Sequence, residues 1–140
     1  MSELTLKVER DIAATPEKVF NAWLNPEALA KFMVPGEGMT VPRAQSDGIK
    51  GGKFEIVMAA GEQEIPHHGE YLEVDPHSKL VFTWESPFSM AGSTVTLTLS
   101  PSEKGTRLVL EHIRFVDEES RNNHEGGWTA ILEQLENWLN

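Results

Sequence analysis

Apolar residues near the C-terminus recur at the spacing of one α-helical face. They fall at offsets of 3, 4, 7, 10 and 11 from the first of them: Trp128, Ile131, Leu132, Leu135, Trp138 and Leu139. This spacing predicts an amphipathic helix whose apolar stripe needs a large surface to cover it. The residues predicted to face water are Thr129, Glu133, Gln134, Glu136 and Asn137. Gly126 and Gly127 either lie inside this helix or precede it, with Asn122 and Asn123 then in its cap.

The preceding chain predicts one strand, two short helices and then about six strands. Leu4, Leu6 and Val8 alternate with polar residues, as in a half-buried strand. Helix starts follow at 15–17 (TPE) and 25–27 (NPE). Alternating apolar residues then mark strands up to Phe115, at Phe54, Ile56, Met58, Leu72, Val74, Leu80, Phe82, Trp84, Val95, Leu97, Leu99, Leu108 and Leu110, and His112 continues the last alternation. Short turns between strands favour antiparallel neighbours, so residues 1–140 are predicted to form a single α+β domain.

Composition narrows the classes of function. The formal charge of −10 argues against nucleic-acid or membrane partners, because anionic surfaces would repel the protein. The chain has no cysteine, which excludes disulfides and thiolate chemistry. Neither a signal peptide nor a bilayer-spanning apolar run is apparent, so we expect a cytoplasmic protein, a monomer or weak dimer.

An opening segment and five later motifs resemble those of a known family, in the same order. The opening 8–23 (VERDIAATPEKVFNAW) is followed by 51–54 (GGKF), 68–71 (HGEY), 80–84 (LVFTW), 105–112 (GTRLVLEH) and 124–128 (HEGGW). This pattern resembles the START-like (SRPBCC) superfamily, and within it the bacterial group named after the activator of heat-shock protein 90 ATPase. The resemblance implies a helix-grip fold, in which a curved antiparallel sheet of about seven strands wraps around the long C-terminal helix. It also places Gly126 and Gly127 within that helix.

Strand alternation and the helix stripe select the candidate ligand-binding residues. Assuming that the faces of Leu72 and Val74, of Phe82 and of Leu110 point inward, every second residue along their strands should do so too. The predicted set is Arg10, Phe32, Phe54, His68, Glu70, Trp84, His112, Gly127, Trp128 and Ile131, with His124 one turn before Trp128. The loop at 87–92 and the segment at 34–38 are predicted to edge the cavity mouth. A pocket with apolar walls and a few polar groups is typical of a small-molecule site.

Structural alternatives exist for these residues. Arg10 and Glu70 could form an ion pair without a ligand role, and His112 could be a hydrogen-bonded structural residue. His124 could orient the helix start, and the tryptophans could be plain core. A set of His68, Glu70 and His112 could ligate a metal only if their strands adjoin, so we expect no metal site and no cofactor.

Three functions are compatible with this picture. The leading one is a non-enzymatic protein that binds a small hydrophobic or amphipathic molecule between sheet and helix. The second is a chaperone- or client-interacting protein. The third is a hydrolase- or cyclase-like enzyme, which requires two of Arg10, Glu70 and His112 to reach one point in the cavity.

Overall fold

The computed structural model describes residues 4–36, 38–87, 89 and 92–139. Within them the chain forms three helices and seven strands. In chain order these are β1 (Thr5–Ile12), α1 (Pro16–Leu24), α2 (Pro26–Phe32), β2 (Met39–Ser46), β3 (Lys53–Ala60), β4 (Gln63–Asp75), β5 (Lys79–Thr83), β6 (Thr94–Pro101), β7 (Thr106–Ile113) and α3 (Glu118–Leu139). None of the helices described is long and apolar enough to cross a membrane.

The strands form one antiparallel sheet in the order β1-β7-β6-β5-β4-β3-β2. The first strand thus pairs with the last, and α1 and α2 carry the chain to the opposite edge. α3 packs against β1 and α2, with Leu132 and Leu135 fully buried. This is the helix-grip fold that the sequence predicted.

The starts of α1 and α2 follow the predicted local signals, whereas α3 begins earlier than one of the predicted alternatives. The Thr15 hydroxyl accepts the Lys18 N–H at 3.3 Å to open α1, and Asn25 Oδ1 accepts the Glu27 N–H at 2.9 Å to open α2. Asp117 Oδ1 accepts the Ser120 N–H at 2.8 Å, which starts α3 two turns before the glycines. The alternative in which Asn122 and Asn123 cap this helix is therefore wrong.

Two surface assignments on α3 are also wrong. Trp138, predicted to face the core, is 43% exposed, whereas Glu136, predicted to face water, is buried. In projection these residues lie about 80° to either side of Trp128, because each residue advances the helix by about 100°. The last turns of α3 expose the side that carries Trp138 and bury the side that carries Glu136. There, the cationic side chains of Arg10 and Lys104 pair with the Glu136 carboxylate.

A β-bulge in β4 reverses the direction of its side chains. Tyr71 pairs with Phe82 but Glu73 pairs with Val81, so β4 holds one extra residue, Leu72, at this point. Tyr71 is buried and Val74 packs on the core, while Leu72 is 42% exposed. The prediction that Leu72 points inward is therefore wrong.

Gly69 lets β4 lie under an aromatic ring. It pairs with Phe54 across the sheet, and an added Cβ would lie 2.7 Å from Phe54 Cε2 and collide with the Thr83 carbonyl oxygen. We expect Gly69→Ala to lower the free energy of unfolding by about 1–3 kcal/mol, since overpacking displaces neighbouring groups. Urea denaturation measures this loss. The control is Glu70→Ala at the next, exposed position, and an equal loss in both variants contradicts the prediction.

Candidate functional site

A cleft of about 160 Å³ lies where the N-terminal half of α3 meets the sheet. Its floor consists of the buried Met58, His67, Trp84, Trp128 and Ile131, and its mouth of the more exposed Pro35, Asn123, His124 and Gly127. Aromatic rings form much of the wall. The ring of Trp84 lies 4.9 Å from that of Trp128 and 4.9 Å from that of His67, between ring centres.

Aromatic side chains fill most of the space deeper between sheet and helices. The enclosed cavity there measures about 10 Å³ and is lined by Trp23, Leu29, Met33, Phe54, Ile56, Tyr71, Phe82 and Trp84. A volume of this size holds about one water molecule. Between the sheet and α3, the space open to a ligand is therefore the cleft rather than a large chamber.

His112 lies fully buried behind the cleft, between two hydrogen-bonding side chains. Trp128 Nε1 donates to His112 Nδ1 at 3.0 Å. Because an indole N–H only donates, the proton of the neutral imidazole resides on Nε2, which donates to Ser93 Oγ at 2.6 Å. Desolvation by burial, helped by nearby His124, lowers the pKa of His112 from 6.5 to about 3. His112 is thus a neutral residue that orients Trp128.

Two further histidines, at the floor and the mouth, are held by backbone carbonyls. His67 Nδ1 donates to the Ile65 carbonyl at 3.1 Å, and His124 Nδ1 donates to the Ser120 carbonyl at 2.8 Å. Burial lowers the pKa of His67 to about 4, against the opposing effect of its backbone hydrogen bonds. At neutral pH the floor of the cleft therefore carries no charge.

The structure brings together part of the predicted set. Trp84, Trp128, Gly127 and Ile131 line the cleft. Phe54 lines the enclosed cavity instead. Phe32 is absent from the described linings of both, and its buried ring packs on Trp23 with 5.0 Å between centres. In the loop predicted to edge the mouth, Phe88, Met90 and Ala91 lie outside the described residues, as does Glu37 in the segment at 34–38.

The inward orientation predicted for His68 and Glu70 is wrong. Both are exposed on the outer face of β4, while His67, Gly69 and Tyr71 face inward. The prediction extended the alternation from Val74 backward, and the extra residue at Leu72 inverts it. His68 and Glu70 consequently lie on the face opposite to His112, which removes the geometry for a shared metal site.

The proposed ion pair between Arg10 and Glu70 is also wrong, because Arg10 pairs with Glu136. Arg10 Nη2 lies 2.9 Å from Glu136 Oε1, and Lys104 Nζ lies 2.9 Å from Oε2. The Ala13 N–H donates to the same carboxylate at 3.2 Å. The hydrogen bond from Lys104, with those from Ala13 and Arg10, lowers the pKa of Glu136 against the effect of its desolvation. This cluster fastens the end of α3 to β1, away from the cleft.

The sequence prediction missed His67, Met58 and Asn123 as lining residues, whereas Pro35 belongs to the segment at 34–38 that was predicted to edge the mouth. Met58 and His67 had usable signals. Met58 continues the alternation of Phe54 and Ile56, and His67 adjoins the residue chosen in its place. Asn123 lies near the start of α3, and its position at the mouth depends on tertiary packing.

Gly126 and Gly127 differ in what surrounds them. A Cβ on Gly126 would meet nothing within 4 Å, whereas one on Gly127 would lie 3.4 Å from Pro35 Cβ. Gly126→Ala is expected to raise the free energy of unfolding by about 0.5–1 kcal/mol, because alanine restricts the unfolded chain and favours helix. Thermal or urea denaturation tests this. Gly127→Ala should raise the free energy of unfolding by less than Gly126→Ala does, and a larger rise for Gly127→Ala contradicts the prediction.

A family profile matches most of this chain. The profile described as "Activator of Hsp90 ATPase homolog 1-like protein" matches residues 13–140. The chain belongs to this family. No curated protein matches the sequence.

Solved structures of similar proteins agree with this membership. A protein from Chromobacterium violaceum is 30% identical over 96% of each chain, with a TM-score of 0.87. The AHSA1 protein from Silicibacter pomeroyi is 32% identical over 97% of each chain, with a TM-score of 0.81. An AHSA1-like protein from Aeromonas hydrophila, 20% identical over 96% of this chain and 91% of that one, has a TM-score of 0.84 and shows the fold alone.

Proposed function

We propose that this family member binds a small, mainly apolar molecule in the cleft between α3 and the sheet. The observation that carries the proposal is the cleft itself, a space of about 160 Å³ whose floor includes the contacting rings of Trp84 and Trp128. An apolar cavity of about 150 Å³ accommodates benzene, so a molecule of one ring with a short substituent matches this volume. The usual drug-sized pocket is larger, about 300–1,000 Å³.

The lining supports an amphipathic ligand. Met58, Trp84, Trp128 and Ile131 offer apolar contact deep in the cleft, whereas Asn123 and His124 offer polar groups at its mouth. A ligand would thus bury its ring and keep a polar substituent near water. Aromatic walls contribute to the affinity for a ligand through dispersion and ring–ring geometry as well as through buried apolar area.

The adjacent glycines provide a matched test of this proposal. Gly127 lines the cleft, while Gly126 borders a different surface depression beside Lys7 and Val8. We expect Gly127→Leu to abolish binding of one-ring aromatic probes and Gly126→Leu to preserve it. Saturation-transfer NMR with wild-type and variant proteins measures the binding. Probe binding that is equal in both variants, or absent from the wild type, contradicts the proposal.

A second candidate is contact with a protein partner, favoured by the exposed Trp138 on α3. Its side chain is 43% exposed, and tryptophan is enriched among residues that dominate protein interfaces. The family description suggests an Hsp90 chaperone as the partner to test. An Hsp90 ATPase rate that rises with the wild-type protein but not with Trp138→Ala supports this function, and an unchanged rate contradicts it.

The enzymatic alternative requires two of Arg10, Glu70 and His112 to reach one point in the cavity, and they do not. Glu70 is on the outer face, Arg10 is paired with Glu136, and His112 is held between Ser93 and Trp128. No two of them converge on one point of the cleft. The proposed role is therefore binding rather than acid–base chemistry.

A further inference from the structure

The ring of His67, at the floor of the cleft, has one nitrogen that donates and one that can only accept. Its Nδ1 lies 3.1 Å from the Ile65 carbonyl oxygen. Because a carbonyl oxygen only accepts, Nδ1 carries the ring proton. Burial lowers the pKa of His67 to about 4, so the ring is neutral at pH 7. The other nitrogen, Nε2, therefore carries a lone pair that can accept a hydrogen bond.

This Nε2 is open to the cleft. Among the described residues, the buried side-chain nitrogens and oxygens that lack a hydrogen-bond partner are the indole nitrogens of Trp23 and Trp84. His67 Nε2 accepts no hydrogen bond from the described residues and is not one of these buried atoms, so it keeps accessible surface. His67 lines the cleft and not the enclosed cavity, which places that surface in the cleft.

The depth of His67 makes this acceptor selective. Only 8% of the residue is exposed, and its ring lies against that of Trp84 with 4.9 Å between centres. A ligand that fills the cleft displaces water from Nε2. A buried acceptor that loses its water and gains no donor lowers the affinity for the ligand. The floor therefore favours a ligand that brings a donor.

A second acceptor of the same kind lies at the mouth of the cleft. His124 Nδ1 donates to the Ser120 carbonyl at 2.8 Å, so in the neutral ring its Nε2 accepts as well. His124 is more exposed than His67, and water can hydrogen-bond to a group at the mouth. A ligand donor therefore gains less affinity at His124 than at His67.

The lining of the cleft also restricts the charge of that donor. None of its nine described residues is Asp, Glu, Lys or Arg. An ammonium group moved from water to the floor would lose its hydration without gaining a carboxylate partner. A neutral hydroxyl or N–H group loses less hydration and still supplies the hydrogen.

We infer that the ligand is an uncharged one-ring molecule with a hydroxyl or N–H group that donates to His67 Nε2. This inference rests on the proposed function and specifies the chemistry of its ligand. The ring occupies the cleft above its apolar floor, and the donor points toward β4. This donor is separate from any polar group that the ligand keeps in water at the mouth.

Three probes of nearly the same size separate the terms of this inference. Each is a phenyl ring with a substituent of two heavy atoms: benzyl alcohol has a neutral donor, its isomer anisole has only an acceptor, and benzylammonium has a charged donor. The quantity measured is the ratio of the affinity for benzyl alcohol to that for anisole, by saturation-transfer NMR titration. In wild-type protein, benzylammonium is expected to bind more weakly than benzyl alcohol.

Two adjacent histidines provide a matched pair of variants. His67→Phe keeps an aromatic ring without the acceptor and should lower the affinity ratio about three- to tenfold relative to wild type, the range for one net hydrogen bond. His68→Phe makes the same substitution on the outer face of β4, where His68 is exposed, and should leave the ratio unchanged.

A second measurement needs no variant that must fold. In long-range ¹H–¹⁵N spectra of the wild-type protein, the His67 Nε2 resonance should move upfield with benzyl alcohol and not with anisole, because a lone pair that accepts a hydrogen bond is more shielded. A spectrum in which Nε2 rather than Nδ1 carries the proton overturns the inference.

The other outcomes distinguish this inference from the proposed function. An affinity ratio unchanged in His67→Phe, with both isomers lost in Gly127→Leu, overturns the inference while the cleft remains a binding site. A ratio that falls in His124→Phe and not in His67→Phe overturns the assignment to His67. Tighter binding of benzylammonium than of benzyl alcohol overturns the uncharged character. Failure of all three probes to bind wild-type protein overturns the proposed function itself.

Discussion

Replacing Trp128 with alanine will lower the free energy of unfolding by about 3–5 kcal/mol, the usual cost of removing a large aromatic side chain from a core. Only 2% of Trp128 is exposed, and its ring centre lies 4.9 Å from that of Trp84 and 6.3 Å from that of Trp23. The substitution also removes the indole donor of His112, which leaves a buried imidazole nitrogen unpaired.

The same helix provides a matched control for this experiment. Trp138 is also a tryptophan of α3, but it is 43% exposed, so Trp138→Ala should change stability by no more than about 0.5 kcal/mol. Urea denaturation of both variants measures the difference. If Trp128→Ala costs little stability while abolishing probe binding, Trp128 is a pocket wall rather than part of the core, and this prediction is wrong.

Acid is expected to destabilise the protein well before its carboxylates titrate. The pKa of His112 is lowered from 6.5 to about 3, and that of His67 from 6.5 to about 4. Above pH 6.5 these histidines are neutral in both folded and unfolded chains. Below it the unfolded chain takes up protons that the folded one does not, so stability falls as the pH falls toward the folded pKa values. Between pH 7 and 5 each histidine should cost about 2 kcal/mol.

Denaturation curves at pH 7, 6 and 5 test this dependence. His112→Phe cannot titrate at that position and should lose about half of the slope, although its stability at pH 7 should also be lower. Trp138→Ala is the control, because Trp138 does not titrate and is 43% exposed, so its substitution should leave the slope unchanged. A stability that is flat between pH 7 and 5 contradicts a neutral, buried His112.

The part of the fold that follows from local patterns was predictable. Leu80, Phe82 and Trp84 are buried, as their alternation indicates, and so are Leu108, Leu110 and His112. The signals for α1 and α2 are short-range, since Thr15 and Asn25 cap helices through residues two or three positions away. Such capping interactions join residues within one helical turn, so the local sequence is enough to predict them.

The candidate site was only partly predictable from the sequence. The wrong predictions arise where one residue changes the orientation of many other side chains. The bulge at Leu72 turns His67 inward and His68 outward, although neither histidine differs locally from a residue in a regular strand. Similarly, Glu136 looks like a water-facing residue until Arg10 and Lys104 are placed beside it. Both partners are distant in the chain.

The motifs of the sequence implied the helix-grip fold through their resemblance to a known family. The sequence by itself determined the α+β order of elements, the amphipathic α3 and the choice of Trp84 and Trp128 as candidate cavity-lining residues, because hydrophobic periodicity and turn chemistry act locally. Only the tertiary structure decided how much space those aromatics leave, which histidine faces the cleft and which indole N–H lacks an acceptor. These properties depend on the packing of elements far apart in the chain, where one extra strand residue or one filled volume changes what a ligand meets.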